Sequence, residues 1–180
     1  MSKLMIASDI HGSAFWCEKL VEKFHETKAD TLLLLGDLLY HGPRNPLPDG
    51  YAPQKVAELL SSVKEKLVCV RGNCDSEVDQ MVLDFPMMAN YALLVIDGQK
   101  IYATHGHLNG ENNPPPLESG VIFFNGHTHL PACKTLENGA IYANCGSVSL
   151  PKPETPHSFA IFEKGVLSWY DLATGEQFNP

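Results

Sequence analysis

Short apolar runs alternate with amphipathic stretches along the first half of the chain. Residues 3–8, 31–35 and 67–70 are largely apolar, which favours short strands that are buried on both faces of a sheet. Residues 13–28 and 53–63 instead repeat apolar side chains every three to four positions, which is typical of amphipathic helices. The order strand, helix, strand, helix, strand predicts right-handed crossover connections and a parallel sheet.

The second half of the chain is a series of short strand patterns with little room for helices. Apolar runs on either side of Asp97-Gly98 predict a β-hairpin, because this dipeptide adopts the positive φ angles of a tight turn. Further strands are expected near residues 121–124, 132–136, 140–144, 159–162 and 166–171. Residues 108–119 contain three consecutive prolines and are expected to form a surface loop.

Length, charge and cysteine content narrow the class of protein. A chain of 180 residues fits one domain, residues 1–180, and no apolar run approaches the ~20 residues of a membrane span. No charged-then-apolar leader is visible, so we expect a cytoplasmic protein. The five cysteines form no CxxC pair, which argues against a disulfide framework. A net charge of −8 disfavours nucleic acid polymers as partners, and is compatible with a small anionic substrate and with a homo-oligomer.

Polar residues of one chemical kind follow five of the predicted strands. Asp9 and His11 are two positions apart, so that their side chains project to the same side of an extended segment. The full set is Asp9, His11, Asp37, Asn73, His105, His127 and His129. Functional groups collect outside the carboxyl ends of strands in α/β sheets, so we expect these oxygen and nitrogen donors to meet. Seven donors are more than one ion needs, and two ions that share a carboxylate would use all of them.

These motifs resemble those of the calcineurin-like metallophosphoesterase superfamily, and most of all its small bacterial YfcE-like phosphodiesterases. The similar segments extend from Asp9 to His129, about two-thirds of the chain. The resemblance implies an αββα sandwich of two packed mixed sheets flanked by helices. It also implies that one ion is held by Asp9, His11 and His129, that the other is held by Asn73, His105 and His127, and that Asp37 bridges the two.

The same resemblance implies a metal-dependent phosphoric diester hydrolase. A hydroxide that bridges the two ions would attack a small phosphodiester. Manganese is the expected metal, because the donor set contains no thiolate, and iron, zinc and magnesium are the alternatives.

The chain departs from the family pattern at two positions. Cys74 stands where most members have a histidine that donates to the leaving oxygen, and it either fills space or acts as a low-pKa thiol. His41 stands where related protein phosphatases carry an arginine, and Arg44 is the nearest substitute. The catalytic candidates are Asp37, Asn73, Cys74 and His41, and the substrate-binding candidates are Asn73, His41, Arg44 and His107.

Two other functions are compatible with the same motifs. One is a phosphomonoesterase or protein phosphatase that uses the same ions. The other is a non-catalytic scaffold for protein interactions, because the small subunit of retromer resembles this fold. A scaffold is expected to lose metal ligands, and here all seven are present, which favours the enzyme.

Overall fold

A computed structural model describes residues 2–180 of the chain. The helices are α1 (Ala14–Thr27), α2 (Pro53–Ser61) and α3 (Glu77–Val82). The strands are β1 (Lys3–Ala7), β2 (Thr31–Leu34), β3 (Leu67–Cys69), β4 (Ala92–Ile96), β5 (Gln99–Ala103), β6 (Ile122–Asn125), β7 (Ala132–Thr135), β8 (Ile141–Asn144), β9 (Ser158–Glu163), β10 (Val166–Asp171) and β11 (Gln177–Phe178). The predicted helices and strands are confirmed, with bounds that differ by a few residues.

The first sheet has six strands in the order β11-β10-β9-β1-β2-β3. The parallel pairing of β1 with β2 and of β2 with β3 confirms the topology predicted from the first half of the chain. Periodicity did not reveal that the chain returns to this sheet at its end. Strand β9 lies antiparallel to β1, with Leu4 opposite Phe162, and β10 and β11 extend the sheet beyond it.

The second sheet has five strands in the order β4-β5-β6-β8-β7. Strands β4 and β5 form the predicted hairpin, and its turn residues Asp97 and Gly98 have φ angles of 48° and 88°. Both angles lie in the left-handed region that a tight hairpin turn requires. Strands β5, β6 and β8 run parallel to one another, so their carboxyl ends lie along one edge of this sheet.

Two apolar cores separate the layers of the molecule. Successive residues of β1 point to opposite faces, so that Met5 packs in the core shared with α1 and α2, while Leu4 and Ile6 pack between the sheets. Phe124 from β6 fills the same second core. No helix among residues 2–180 contributes to this second core, so the helices flank the first sheet.

The segment 108–119 forms a loop, as predicted, and lies beside the second sheet. It is joined to that sheet by an ion pair of Glu118 with Lys100, at 2.6 Å, and by an ion pair of Glu111 with Lys134. Asn138 Nδ2 also donates to the carbonyl oxygen of Leu117 at 3.3 Å. None of the helices in residues 2–180 has the length and apolar character needed to cross a bilayer.

Candidate dimetal site

The structure brings all seven predicted donors together at the carboxyl ends of β1, β2, β3, β5 and β6. Five of them have a left-handed backbone that is unusual for residues other than glycine: Asp9 (φ 60°), His11 (φ 49°), Asp37 (φ 56°), His127 (φ 64°) and His129 (φ 60°). Such a conformation costs about 1 kcal/mol or more per residue, and it persists only where the surrounding structure imposes it. The strained residues therefore mark one functional region.

The first group of donors comprises Asp9, His11 and His129. Their Oδ1 and Nε2 atoms lie 3.2–3.5 Å from one another. His11 Nδ1 donates to the carbonyl oxygen of Tyr40 at 2.9 Å, and His129 Nδ1 donates to that of Leu150 at 2.6 Å. A carbonyl can only accept, so Nδ1 carries a hydrogen in both rings and Nε2 is the atom that each ring can offer to a metal ion.

The second group of donors comprises Asp37, Asn73 and His105. His105 Nδ1 donates to the carbonyl oxygen of Leu35 at 2.7 Å, so Nε2 is the ring atom that can bind a metal ion. That Nε2 lies 3.0 Å from Asn73 Oδ1 and 3.4 Å from Asp37 Oδ2. Asp37 Oδ2 is also 3.7 Å from His11 Nε2, which places this carboxylate between the two groups.

The charges within the site favour a cation. Burial would raise the pKa of the Asp9 carboxyl, but its contacts with His11 and His129 outweigh burial and hold it well below its usual range. Burial would likewise lower the pKa of His105, but the bond to Asp37 and the charge of Asp9 raise it to about 9. Buried carboxylates that stabilise neighbouring positive charge suit a divalent ion equally well.

The donor arrangement itself fits metal ions. Asp9 Oδ1 is fully buried, and residues 2–180 offer it no hydrogen-bond donor. A buried acceptor without a donor is costly, and here it faces the Nε2 atoms of two imidazoles. An ion between these three atoms would satisfy all of them, as oxygen and nitrogen ligands of a hard or borderline metal.

Two further histidines lie beside the second group. The ring of His127 is 5.0 Å from that of His105, and its backbone N–H donates to Asp9 Oδ2 at 3.0 Å. The ring of His107 is 5.3 Å from that of His105 and 6.2 Å from that of His127. The structure therefore brings both predicted residues to the same part of the site.

A cavity of about 420 Å³ opens onto these donors. Its wall includes Asn73, Cys74, Arg44 and Lys152 in addition to metal-site side chains. His41 is not on this wall, in contrast to its predicted contact with substrate. Its ring packs against the rings of Tyr40 and Tyr51, at 4.8 Å and 5.4 Å. The loop thus buries the aromatic face of His41 and brings Arg44 to the cavity.

Cys74 is a neutral thiol in these surroundings rather than an activated one. Burial and the neighbouring Asp37 carboxylate raise the pKa of the Cys74 thiol to about 12. Its Sγ accepts a hydrogen bond from Asn73 Nδ2 at 3.2 Å. Sγ also lies within 4.8 Å of donor atoms of His11 and Asp37, so the thiol faces the centre of the site.

Asp75 has a structural role that the sequence analysis did not assign to it. Its buried carboxylate accepts three backbone hydrogen bonds, from Asp37, Leu38 and Gly72, at 2.7–2.9 Å. These bonds tie the end of β2 to the end of β3. The spacing Gly-Asn-x-Asp is the signal that marks this residue.

The segment 146–157 is a second feature that sequence reasoning missed. The hydroxyls of Ser147 and Ser149 both donate to the carbonyl oxygen of Asp9, at 2.9 Å and 3.0 Å. The carbonyl of Leu150 orients His129, and the backbone N–H of Lys152 donates to the His129 carbonyl at 3.3 Å. This segment therefore positions two of the donors, although it contributes none itself.

The chain belongs to the calcineurin-like phosphoesterase superfamily, whose domain it matches over residues 2–165. It is 50% identical to phosphodiesterase YfcE of Escherichia coli K12 over 169 residues, which cover 93% of this chain and 91% of the relative. It is 28% identical to the probable metallophosphoesterase YsnB of Bacillus subtilis over 185 residues, which cover 96% of this chain and 93% of YsnB.

Solved structures have the same fold. The structure of YfcE, a phosphoesterase from E. coli, superposes with a TM-score of 0.95 at 46% identity, and covers 98% of this chain and 97% of the other. Vacuolar protein sorting 29 from Cryptosporidium parvum superposes with a TM-score of 0.66 at 21% identity, with coverage of 98% and 94%. The α/β fold with two mixed sheets is thus that of the metallophosphoesterases.

Proposed function

We propose that the chain is a single-domain, metal-dependent phosphodiesterase, residues 1–180, that hydrolyses small phosphodiesters. The observation that carries this proposal is the convergence of Asp9 Oδ1, His11 Nε2 and His129 Nε2, three buried metal-competent atoms that lie 3.2–3.5 Å from one another. A complete donor set favours catalysis over a scaffold role. The name of the relative at 50% identity, a phosphodiesterase, supports the same reaction.

Two divalent ions are the proposed cofactors. Asp9, His11 and His129 would hold one ion, Asn73, His105 and His127 would hold the other, and Asp37 would serve both. Mn²⁺ is the proposed metal, because hard oxygen donors and imidazoles predominate; iron, zinc and magnesium are alternatives. When bound, such a pair supplies a hydroxide nucleophile at neutral pH and neutralises charge on the phosphoryl oxygens.

The side chains on the cavity wall bind and orient the substrate. Asn73 presents its amide beside the ion site, where Nδ2 can donate to a phosphoryl oxygen in exchange for Cys74 Sγ. Arg44, rather than His41, lies on the cavity wall, and its permanent charge allows it to contact an anionic group of the substrate. His107 stands beside His105 and His127, where it can contact the substrate or the leaving oxygen.

The net charge of the protein indicates the type of partner it binds. With a net charge of −8, the surface opposes tracking along a nucleic acid backbone, so the proposed partner is a small molecule. The cytoplasm is the proposed compartment, and assembly into a homo-oligomer is compatible with it.

The substrate class can be tested with a matched pair of aryl esters. 4-Nitrophenyl phenyl phosphate and 4-nitrophenyl phosphate share one leaving group and differ in the charge on the phosphoryl group. At saturating Mn²⁺, we expect a higher kcat/KM for the diester. Faster turnover of the monoester would favour the phosphomonoesterase, and the absence of turnover with two ions bound would favour the scaffold.

A further inference from the structure

We propose that Lys152 and Arg44 form a subsite for a second anionic group, carried by the phosphodiester substrate beside its scissile phosphate. The inference rests on the proposed function and adds the class of substrate. The proposed substrate is a phosphodiester in which one of the two ester groups carries a phosphate or a carboxylate.

The first observation is that these two cations have no partner within the described chain. Among residues 2–180, neither side chain takes part in a salt bridge or a side-chain hydrogen bond. Most other basic side chains are paired with a carboxylate: Lys3, Lys23, Lys55, Lys64, Arg71, Lys100 and Lys134. Arg44 and Lys152 are exposed, and both lie on the wall of the cavity that contains the proposed ion site, so an anionic group bound in this cavity can contact both.

The second observation is that the backbone of Lys152 is held in place. Lys152 stands between Pro151 and Pro153, and a proline ring fixes the backbone φ on each side. Its N–H donates to the carbonyl oxygen of His129, and its own carbonyl accepts from the N–H and hydroxyl of Thr155, at 3.1 Å and 2.8 Å. The backbone of Lys152 is therefore already ordered, and a bound anion would restrict its side chain alone.

The loop that carries Arg44 is also turned toward the cavity by local contacts. Asn45 Nδ2 donates to the carbonyl oxygen of His41 at 2.9 Å, and Asn45 N donates to that of Gly42 at 3.4 Å. This tight loop presents Arg44 to the cavity while His41 packs inward. Arg44 and Lys152 thus reach one cavity from two loops that are far apart in sequence.

The third observation is the balance of charge. Two divalent ions with Asp9, Asp37 and one hydroxide would leave a single positive charge, which the single negative charge of a diester neutralises. Arg44 and Lys152 then remain without a counter-charge, since Asp37 is the only carboxylate that residues 2–180 place on the cavity wall. A phosphate dianion on the substrate would balance both cations, and a carboxylate would balance one of them, which improves the charge complementarity of the cavity.

Phosphate and carboxylate groups would both satisfy this subsite, so the experiment includes each. Three substrates share a 4-nitrophenyl leaving group: thymidine 5′-(4-nitrophenyl phosphate), its 3′-phosphate, and its 3′-O-carboxymethyl ether. At saturating Mn²⁺ and fixed ionic strength, we expect KM to fall by about tenfold for the better of the two anionic substrates, while kcat changes by less than about threefold.

Variants of Lys152 and Arg44 test whether these two residues cause the expected difference in KM. Lys152→Gln and Arg44→Gln should each remove most of the tenfold preference, and Lys152→Arg should retain it. Lys164→Gln is the matched control, because Lys164 is an exposed lysine at the turn between β9 and β10. Metal content and thermal unfolding of each variant establish that the fold and the ion site are intact.

The outcomes separate this inference from the proposed function. If no diester is hydrolysed, the proposed function fails. If the diester without a second anionic group is hydrolysed but the three KM values agree within a factor of two, the second-anion subsite is wrong. If Lys152→Gln instead impairs 4-nitrophenyl phosphate selectively, the cations serve a phosphomonoester, and the inference is also overturned.

Discussion

At the scale of single residues, Asp37 is the carboxylate on which both donor groups depend. Its Oδ2 lies 3.4 Å from His105 Nε2 and 3.7 Å from His11 Nε2, while its Oδ1 accepts from the backbone of Cys74 at 2.7 Å. Two oxygens with several lone pairs allow this side chain to face both groups and still anchor the loop. No neutral side chain of the same size offers that combination.

We therefore expect Asp37→Asn to lower kcat by about 10³-fold or more while the fold survives, because an amide can present only one oxygen. Metal analysis should show a fall from two ions toward one per chain. Asp97→Asn is the control, since Asp97 is in the exposed hairpin turn, where asparagine is equally well accommodated. Full activity of Asp37→Asn with two ions bound would contradict the proposed role.

The second prediction is that the neutral thiol of Cys74 makes the rate depend strongly on the leaving group. A neutral thiol is a weak donor, so the departing oxygen carries its charge largely unassisted. General acid assistance typically contributes about 10²–10⁴-fold, so activated aryl diesters should react and alkyl diesters should react poorly. Cys74→His should recover part of this difference, because Asp75 Oδ1 accepts only one hydrogen bond and retains a lone pair for an imidazole.

The measurement is a plot of log kcat/KM against leaving-group pKa for a series of aryl and alkyl diesters. The wild type should show a steep negative slope, and Cys74→His a shallower one. Cys74→Ser serves as the control for size. Equal slopes for the wild type and Cys74→His would show that another group, such as His107, already protonates the leaving oxygen.

At the scale of elements, the segment 146–157 links the two sheets and holds donors of the candidate ion site in position. Its middle holds Asp9 and His129 in place, and its end is fixed to α1. The ring of His157 stacks on that of Trp16, with centroids 3.6 Å apart, and its Nδ1 donates to the carbonyl oxygen of Val148 at 2.8 Å. The position of the segment therefore depends on a neutral imidazole.

This stack predicts how stability depends on pH. Burial lowers the pKa of His157, and this effect prevails over the Val148 carbonyl and the charges of Asp171 and Asp49. The folded state thus binds the proton less readily than the unfolded chain. The contribution of neutral His157 to the free energy of unfolding is fully present above the unfolded pKa of ~6.5. This contribution is lost as the pH falls from there toward the lower pKa of the folded state.

Urea unfolding of the wild type and of His157→Gln between about pH 5 and pH 8 tests this prediction. The free energy of unfolding of the wild type should decline more steeply on acidification than that of His157→Gln, so that the two proteins converge at low pH. His25→Gln, which replaces an exposed histidine of α1, controls for the loss of a titratable group. A constant difference between the wild type and His157→Gln across this range would exclude a titrating stack.

At the scale of the whole molecule, the proposed ions would join the two sheets. Asp9, Asp37 and Asn73 follow strands of the first sheet, whereas His105 and His127 follow strands of the second. Apolar packing between the sheets holds their centres together, and at the carboxyl ends Asp37 Oδ2 of the first sheet lies 3.4 Å from His105 Nε2 of the second. Ions held by donors from both sheets would thus link the sheets as well as serve the proposed catalysis.

We expect a chelator to lower the melting temperature and Mn²⁺ to restore it. An ion that binds only the folded state adds about 2.7 kcal/mol of stability at a free concentration one hundred times its Kd. Asp37→Asn should show a smaller rise on addition of Mn²⁺, because it lacks the shared carboxylate. Identical melting curves with chelator and with saturating Mn²⁺ would rule out this link.

Much of the fold and of the donor set is determined by local sequence. The Asp97-Gly98 hairpin, the parallel order of β1, β2 and β3, and the polar residues at their ends follow from short-range periodicity and turn chemistry. The same local rules place Asp9 and His11 on one side of a strand end. These features depend on neighbours within a few residues, so the sequence alone contains the information for them.

Only the tertiary structure decided which distant groups serve those donors. Ser147 bonds to the Asp9 carbonyl across 138 residues, and such a contact depends on how β8 and β9 join two different sheets. Packing against Tyr51 likewise turned His41 away from the cavity and left Arg44 on its wall, where Lys152 joins it. Residue type sets what a side chain can do, but long-range packing determines which side chains meet, since no local pattern encodes contacts between remote loops.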